Sequence, residues 1–253
     1  MLASGSSGNA ALFSTGQTRI LLDAGLSMKE LARRLALIGE DLESIDAILV
    51  THEHSDHVAG LPVLARSKKV RAPIYLTRLT APAIDWGPSE PRLETFQAGA
   101  AFTIGDVEVT SFSIPHDAID PVAYCLEARG VRIGVVTDLG YIPASVKFHL
   151  RRADLLMLES NHDLDMLKVG PYPWSIKQRV MSRVGHLSNL GMSEYLAADL
   201  DASTTHLVLG HLSEQNNHPE IVRIVAAQSL ESRGLRTELS IAAQASPSEV
   251  FRF

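Results

Sequence analysis

A chain of 253 residues with 45% hydrophobic and 21% charged residues can bury one sizeable core, and a single domain over residues 1–253 is expected. A net charge of −6 argues against a surface coated for non-specific nucleic-acid binding, and a single cysteine, Cys125, excludes an internal disulfide and a cysteine-built zinc cage. No run of roughly 18 apolar residues is present to span a bilayer, and the start Met1-Leu2-Ala3-Ser4-Gly5 lacks the basic and apolar regions of a secretion signal, so the expected location is cytoplasmic, away from membrane.

In chain order, Ser4-Gly5-Ser6-Ser7-Gly8-Asn9 is a small loop rich in donors, and an alternating segment leads to residues 19–22, read as a buried strand that closes on Asp23. Residues 27–38 carry apolar side chains at helical spacing between a Ser27 N-cap and a Gly39 stop. The strand 47–51 runs into Thr51-His52-Glu53-His54-Ser55-Asp56-His57, and one helix is expected from Ser55 or Asp56 through Val58 to Leu64. A short strand covers 73–76, while residues 80–100, rich in proline and glycine, predict an irregular connection. Cys125 lies in the apolar run 122–126 and is expected to be a buried small hydrophobe.

Four later strands share a way of ending. Residues 107–114 run into Pro115-His116-Asp117, 131–137 into Asp138-Leu139-Gly140, 154–159 into Ser160-Asn161-His162, and 206–209 into Gly210-His211. With the strands before Asp23 and His52, six apolar runs deliver a polar residue just past their C-terminal ends, where the strand fixes position and the loop frees the side chain. The tail predicts a helix near 219–230 and strand pieces at 239–241 and 250–251.

Three histidines and an aspartate at 52, 54, 56 and 57 are expensive to gather unless they bind something. On an extended segment His52 and His54 point to one side, whereas Asp56 and His57 sit where the chain turns into a helix and can face a second position. Imidazole nitrogen and carboxylate oxygen suit zinc or manganese, with iron as a further candidate, and two divalent ions need about seven or eight protein contacts. The cluster supplies four, so the other strand ends must supply the rest.

The motif His52-Glu53-His54-Ser55-Asp56-His57, with Asp23, His116, Asp138 and His211 following in order, resembles the metallo-β-lactamase superfamily over nearly the whole chain. That resemblance implies an α/β fold, the four-layer αββα sandwich of two mixed β-sheets flanked by helices. It also implies metal ligation by His52, His54 and His116 at one ion and Asp56, His57 and His211 at the other, with Asp138 between them. Asp23 and Asn161 would orient the ligands, and Asp56, Asp138 and His186 are the expected catalytic residues.

The interval from Asp138 to His211 has no room for the inserted β-CASP domain of large RNA-processing relatives. The segments Ser4–Asn9, Leu22–Gly25, Pro115–Ala118, Glu159–Asp163, Gly185–Asn189 and Gly210–Ser213 are most similar to the YycJ/WalJ-type subgroup, which implies a dinuclear metal-dependent phosphodiesterase, a DNA exonuclease using a metal-activated hydroxide. DNA is then the expected partner. Hydrolysis of a small ester, thioester or cyclic phosphate is the alternative enzyme, and a metal-dependent binding or regulatory module the alternative of another class.

Ser6, Ser7, Asn9, His186 and Ser188 are the candidates for substrate contact, His186 also for protonating a leaving oxygen. Basic residues from Arg66 to Arg78 and Lys177, Arg179 and Arg183 offer a phosphate-tracking rim, and Pro171-Tyr172-Pro173-Trp174 offers aromatics able to stack on a base. His149, His206 and His218 read as structural.

Overall fold

A computed structural model describes residues 1–253. Two mixed β-sheets flanked by helices make up the fold, as expected, and the chain divides into two compact units. The first holds Met1–Ser111, Ala118–Val122 and Ala243–Phe253; the second holds Phe112–Asp117 and Ala123–Ala242. No helix is long and apolar enough to cross a membrane.

In the first unit, β1 (Ala11–Ser14) pairs antiparallel with β2 (Arg19–Leu22). Helix α1 (Met28–Leu37) follows, capped by the Ser27 side chain, which accepts from the Glu30 N–H. It buries Leu31 and Leu35 on one face. Strand β3 (Ala47–Leu49) is buried at every position and adds in parallel to β2.

The single helix expected from 55 to 64 is two, α2 (Ser55–Val58) and α3 (Leu61–Arg66). Pro62 has no N–H to continue the ladder, and the Gly60 N–H donates instead to the Ala24 carbonyl at 2.8 Å. Strand β4 (Ile74–Thr77) lies parallel to β3. The connection 80–100 is more ordered than its composition suggests: a 3-10 turn covers Ala81–Ala83, and β5 (Leu93–Phe96) extends the sheet in parallel. That strand is hidden in the sequence because Glu94 and Thr95 are exposed and Phe96 alone is buried. Strands β6 (Ala101–Ile104) and β7 (Val107–Ser113) form an antiparallel hairpin. Leu21, Ile48, Leu61, Leu64 and Leu76 share the core of this unit.

In the second unit, β8 (Val122–Ala128) turns antiparallel into β9 (Val131–Val136). Helix α4 (Ala144–His149) leads to β10 (Leu155–Glu159), parallel to β9 and buried along its length. Helices α5 (Leu164–Val169), α6 (Trp174–Val180) and α7 (Asn189–Ala198) precede β11 (His206–Gly210), parallel to β10. Helix α8 (Pro219–Ser232) agrees with expectation, its N-cap supplied by His218 and its first position by Pro219. It returns the chain to β12 (Glu238–Ile241), parallel to β11.

Phe112, Val136, Leu156, Leu158, Leu209 and Val222 belong to the core cluster of the second unit. Cys125 is fully buried there, and burial pushes its thiol up to about 11. Residues 250–251 form no strand: Val250 is exposed, and nearby the chain is tied down by the Ser248 N–H donating to the Met1 carbonyl.

Candidate metal centre

The first unit builds its histidine cluster from two adjacent strand ends. Beyond β2 the chain enters the left-handed region at Asp23, φ 56°, where a non-glycine residue carries strain. That turn directs the buried carboxylate at the end of β3: Oδ1 accepts from the Thr51 N–H at 2.9 Å, and Oδ2 lies 2.8 Å from His57 Nδ1. Thr51 Oγ1 donates to the same carboxylate at 3.0 Å and lies 2.9 Å from His52 Nδ1.

With Nδ1–H given to Asp23, His57 presents a lone pair at Nε2, which faces Asn9 Nδ2 at 3.0 Å and Asp56 Oδ2 at 3.5 Å. His52 and His57 are fully buried, and the His52 ring lies 4.2 Å from that of His57 and 4.7 Å from that of His54. A carboxylate oxygen and an imidazole lone pair held this close repel each other. A divalent cation between them removes the repulsion, so the donor set fits one.

Asn9 sits inside this arrangement. It is buried, its Oδ1 accepts from the Gly5 N–H at 2.9 Å, and its Nδ2 faces Asp56 Oδ2 at 3.2 Å. Ser6 and Ser7 are exposed at the turn of the same loop, where the Ser7 N–H donates to Gln244 Oε1.

The second unit brings its candidates together through sheet register. Strands β9, β10 and β11 are parallel neighbours, with Leu158 opposite Val136 and Glu159 opposite Gly210, so the residues beyond their ends share one side of the sheet. Asp138 and His211 both have left-handed backbone, φ 61° and 55°. Donor atoms of Asp138, Glu159, His186 and His211 lie within 4.8 Å of one another. His116, beyond β7, joins through its ring, 5.3 Å from that of His186, with Nδ1 3.2 Å from the Gly185 carbonyl. Burial pushes the His116 imidazole toward its neutral, ligating form.

Glu159 is the residue the sequence reading passed over. Fully buried, it accepts from His186 Nδ1 at 2.7 Å and His211 Nδ1 at 2.9 Å, while Oε2 takes the backbone N–H groups of Leu139 and Leu187 at 3.0 Å each. Burial opposes its charge, but His186 and His211 outweigh burial and hold the carboxyl at about 2. In return, although burial works against the imidazolium, Glu159 raises the affinity of His186 for its proton. The signal was present: a carboxylate closing the otherwise apolar strand 155–158.

The remaining candidates have defined partners. Asn161 Nδ2 donates to the His211 carbonyl at 2.9 Å, and Ser188 caps α7 by accepting from the Gly191 N–H. Lys177 is buried and donates to the Lys168 carbonyl, Arg179 pairs with Asp117, and the Arg183 guanidinium lies 4.1 Å from the Tyr141 ring centre. His149 stacks on Phe112, His206 lies beside Glu238, and His218 caps α8.

His162 is 1% exposed, neither ring nitrogen has a hydrogen-bond partner, and burial lowers its pKa to about 4 from the ordinary 6.5. As pH falls, the unfolded chain takes up this proton first, so His162 leaves stability unaffected above about 6.5. Between pH 6.5 and 4 it costs the fold progressively, up to about 3 kcal/mol. Denaturant unfolding of the protein and of His162→Leu across that range is expected to show a shallower acid loss in the variant. Parallel curves would refute a buried neutral imidazole.

Residues 18–212 match the family described as Beta-lactamase superfamily domain. Over 238 residues the chain is 39% identical to Exodeoxyribonuclease YycJ of Bacillus anthracis, covering 92% of this chain and 89% of that one. It is 37% identical to Exodeoxyribonuclease WalJ of Streptococcus pneumoniae over 240 residues, 93% and 88% of the two chains. Among solved structures, the metallo-β-lactamase fold protein YhfI from Bacillus subtilis superposes with a TM-score of 0.72 at 20% identity over 96% of each chain, a likeness of fold.

Proposed function

The chain belongs to the β-lactamase superfamily, among the relatives of the exodeoxyribonucleases YycJ and WalJ, and from that premise we propose that it is a DNA exonuclease holding two divalent ions. The observation that carries this reading is the pair of buried histidine–carboxylate clusters, each with at least one histidine Nδ1 held by a carboxylate and its other donors gathered. His52, His54 and His116 would bind one ion, Asp56, His57 and His211 the other, with Asp138 shared. On this reading residues 1–253 form a single catalytic domain. Zinc or manganese suits these nitrogen and oxygen donors, iron less specifically. When bound, such ions supply an activated water and Lewis acidity toward a phosphoryl oxygen.

The chain's own residues do the rest. Asp23 and Glu159 fix the tautomers of His57 and His211, so the Nε2 lone pairs are ready without reorganisation. His186, whose affinity for a proton Glu159 raises through Nδ1 against the effect of burial, would in its protonated form give its Nε2–H to the oxygen that leaves when the phosphodiester breaks. A DNA substrate accords with a cytoplasmic location. Purified, metal-loaded protein is expected to degrade linear DNA from its ends, to stop on chelation and to resume when zinc or manganese is returned. Turnover of a glutathione thioester without DNA cleavage would favour the small-ester alternative and defeat the nuclease.

A further inference from the structure

Helices α5 and α6 form a short hairpin that ends in exposed apolar residues. Val169 is 86% and Trp174 62% exposed, and Tyr172 is half-buried between two exposed prolines, Pro171 and Pro173. Large apolar side chains gathered on a surface mark a contact, and this tip is held rigidly. Lys177 Nζ donates to the Lys168 carbonyl at 2.7 Å, closing α6 onto α5, and a Cβ at Gly170 would meet Asn216 Oδ1 at 2.3 Å.

The hairpin is also fastened to the candidate centre. The His186 N–H donates to the Val180 carbonyl, the Asp117 N–H to the Val184 carbonyl, and Arg179 pairs with Asp117, next to His116. Six residues of helix separate Trp174 from Val180, about 9 Å at 1.5 Å per residue. Charge points to the occupant: residues 164–184 hold four basic residues against one acidic residue, Asp165, which pairs with Lys168, in a chain whose net charge is −6.

We propose that the α5–α6 tip is a stacking platform for single-stranded DNA, with Trp174 receiving a base of the strand whose end lies at His186. It rests on the nuclease reading above. An exposed indole offers a π-face that any base can use, while the net positive charge of the hairpin attracts the backbone without reading sequence.

The test is steady-state kinetics of the wild type, Trp174→Ala and Trp174→Phe on a single-stranded oligonucleotide, on the same strand with abasic residues near the cleaved end, and on bis-p-nitrophenyl phosphate. Loss of one stacked base corresponds to roughly 5- to 150-fold weaker binding. Trp174→Ala is therefore expected to raise KM for the oligonucleotide by about 10-fold, with kcat and aryl diester hydrolysis unchanged, and Trp174→Phe to restore most of the loss. On the abasic strand the two proteins should converge. An unchanged KM in Trp174→Ala, or an equal effect on the abasic strand, overturns the platform while leaving the nuclease reading intact. Wild-type protein that hydrolyses the aryl diester but neither binds nor cleaves DNA overturns both. Loss of binding to anionic vesicles or to a protein partner in Trp174→Ala, with oligonucleotide KM unmoved, gives the surface to that occupant instead.

Discussion

Replacing Asp138 by glycine is expected to remove hydrolysis almost completely and leave the fold about as stable as before. Asp138 holds φ at 61°, a conformation that costs an L-residue about 1 kcal/mol or more and costs glycine nothing. Its Oδ1 lies 3.3 Å from His211 Nδ1, so the carboxylate faces the centre of the second-unit cluster. The strain is offset by what that carboxylate does. Relief of strain in Asp138→Gly balances the lost contacts, whereas Asp138→Ala keeps the strain and should be the less stable variant by about 1 kcal/mol. Turnover on DNA and on an aryl diester should fall by about 10³-fold or more in both, the scale of losing a charge-stabilising group at a reaction centre. Melting curves and kcat for the pair decide the matter. Activity within about 10-fold of wild type in either variant would remove Asp138 from the chemistry.

Glu159→Gln is expected to damage stability and activity together. The carboxylate accepts from two imidazoles and two backbone N–H groups, and an amide can accept on one side only. Wherever the amide points, its own N–H groups meet another donor inside a fully buried pocket. Breaking such a buried charged network costs about 3 kcal/mol or more, and loss of a residue that orients ligands costs roughly 10- to 100-fold in metal affinity or activity. A further consequence separates this residue from a merely structural one. Glu159 raises the proton affinity of His186, so without it the His186 pKa must fall. The alkaline limb of the pH–kcat profile, where the general acid loses its proton, should therefore move to lower pH in the variant. A profile lying at the same pH, whatever its height, would deny the Glu159–His186 pair its role.

The features legible in the sequence were those written locally. The cluster from His52 to His57 is six residues just beyond a short apolar strand, and its ligand chemistry needs no tertiary information. Asp138 and His211 could be paired with each other because the parallel strands β9, β10 and β11 carry their C-terminal ends to one side, and each sits just past such an end. Left-handed backbone at Asp23, Asp138 and His211 was not legible, since aspartate and histidine are enriched in that region but most of them lie outside it.

Glu159 escaped for a different reason: its importance comes from His186 and His211, 27 and 52 residues away, and appears only when they converge on it. Asn9 read as a substrate contact because its loop is polar, yet its amide is turned inward toward Asp56 and His57. Helices α4, α5 and α6 were missed because six or seven residues are too few to show a period. Residues 250–251 looked like a strand because two apolar side chains stand together, but the chain takes no strand form there.

The central claim is that the histidine–carboxylate clusters hold two ions whose loss is loss of function. It is tested most directly by elemental analysis of the purified protein, wild type and Asp138→Gly, with exonuclease activity measured on the same samples. Two ions per wild-type chain, falling in the variant together with DNA degradation, is the expected result. Full activity on linear DNA from a wild-type preparation freed of divalent metal would contradict it.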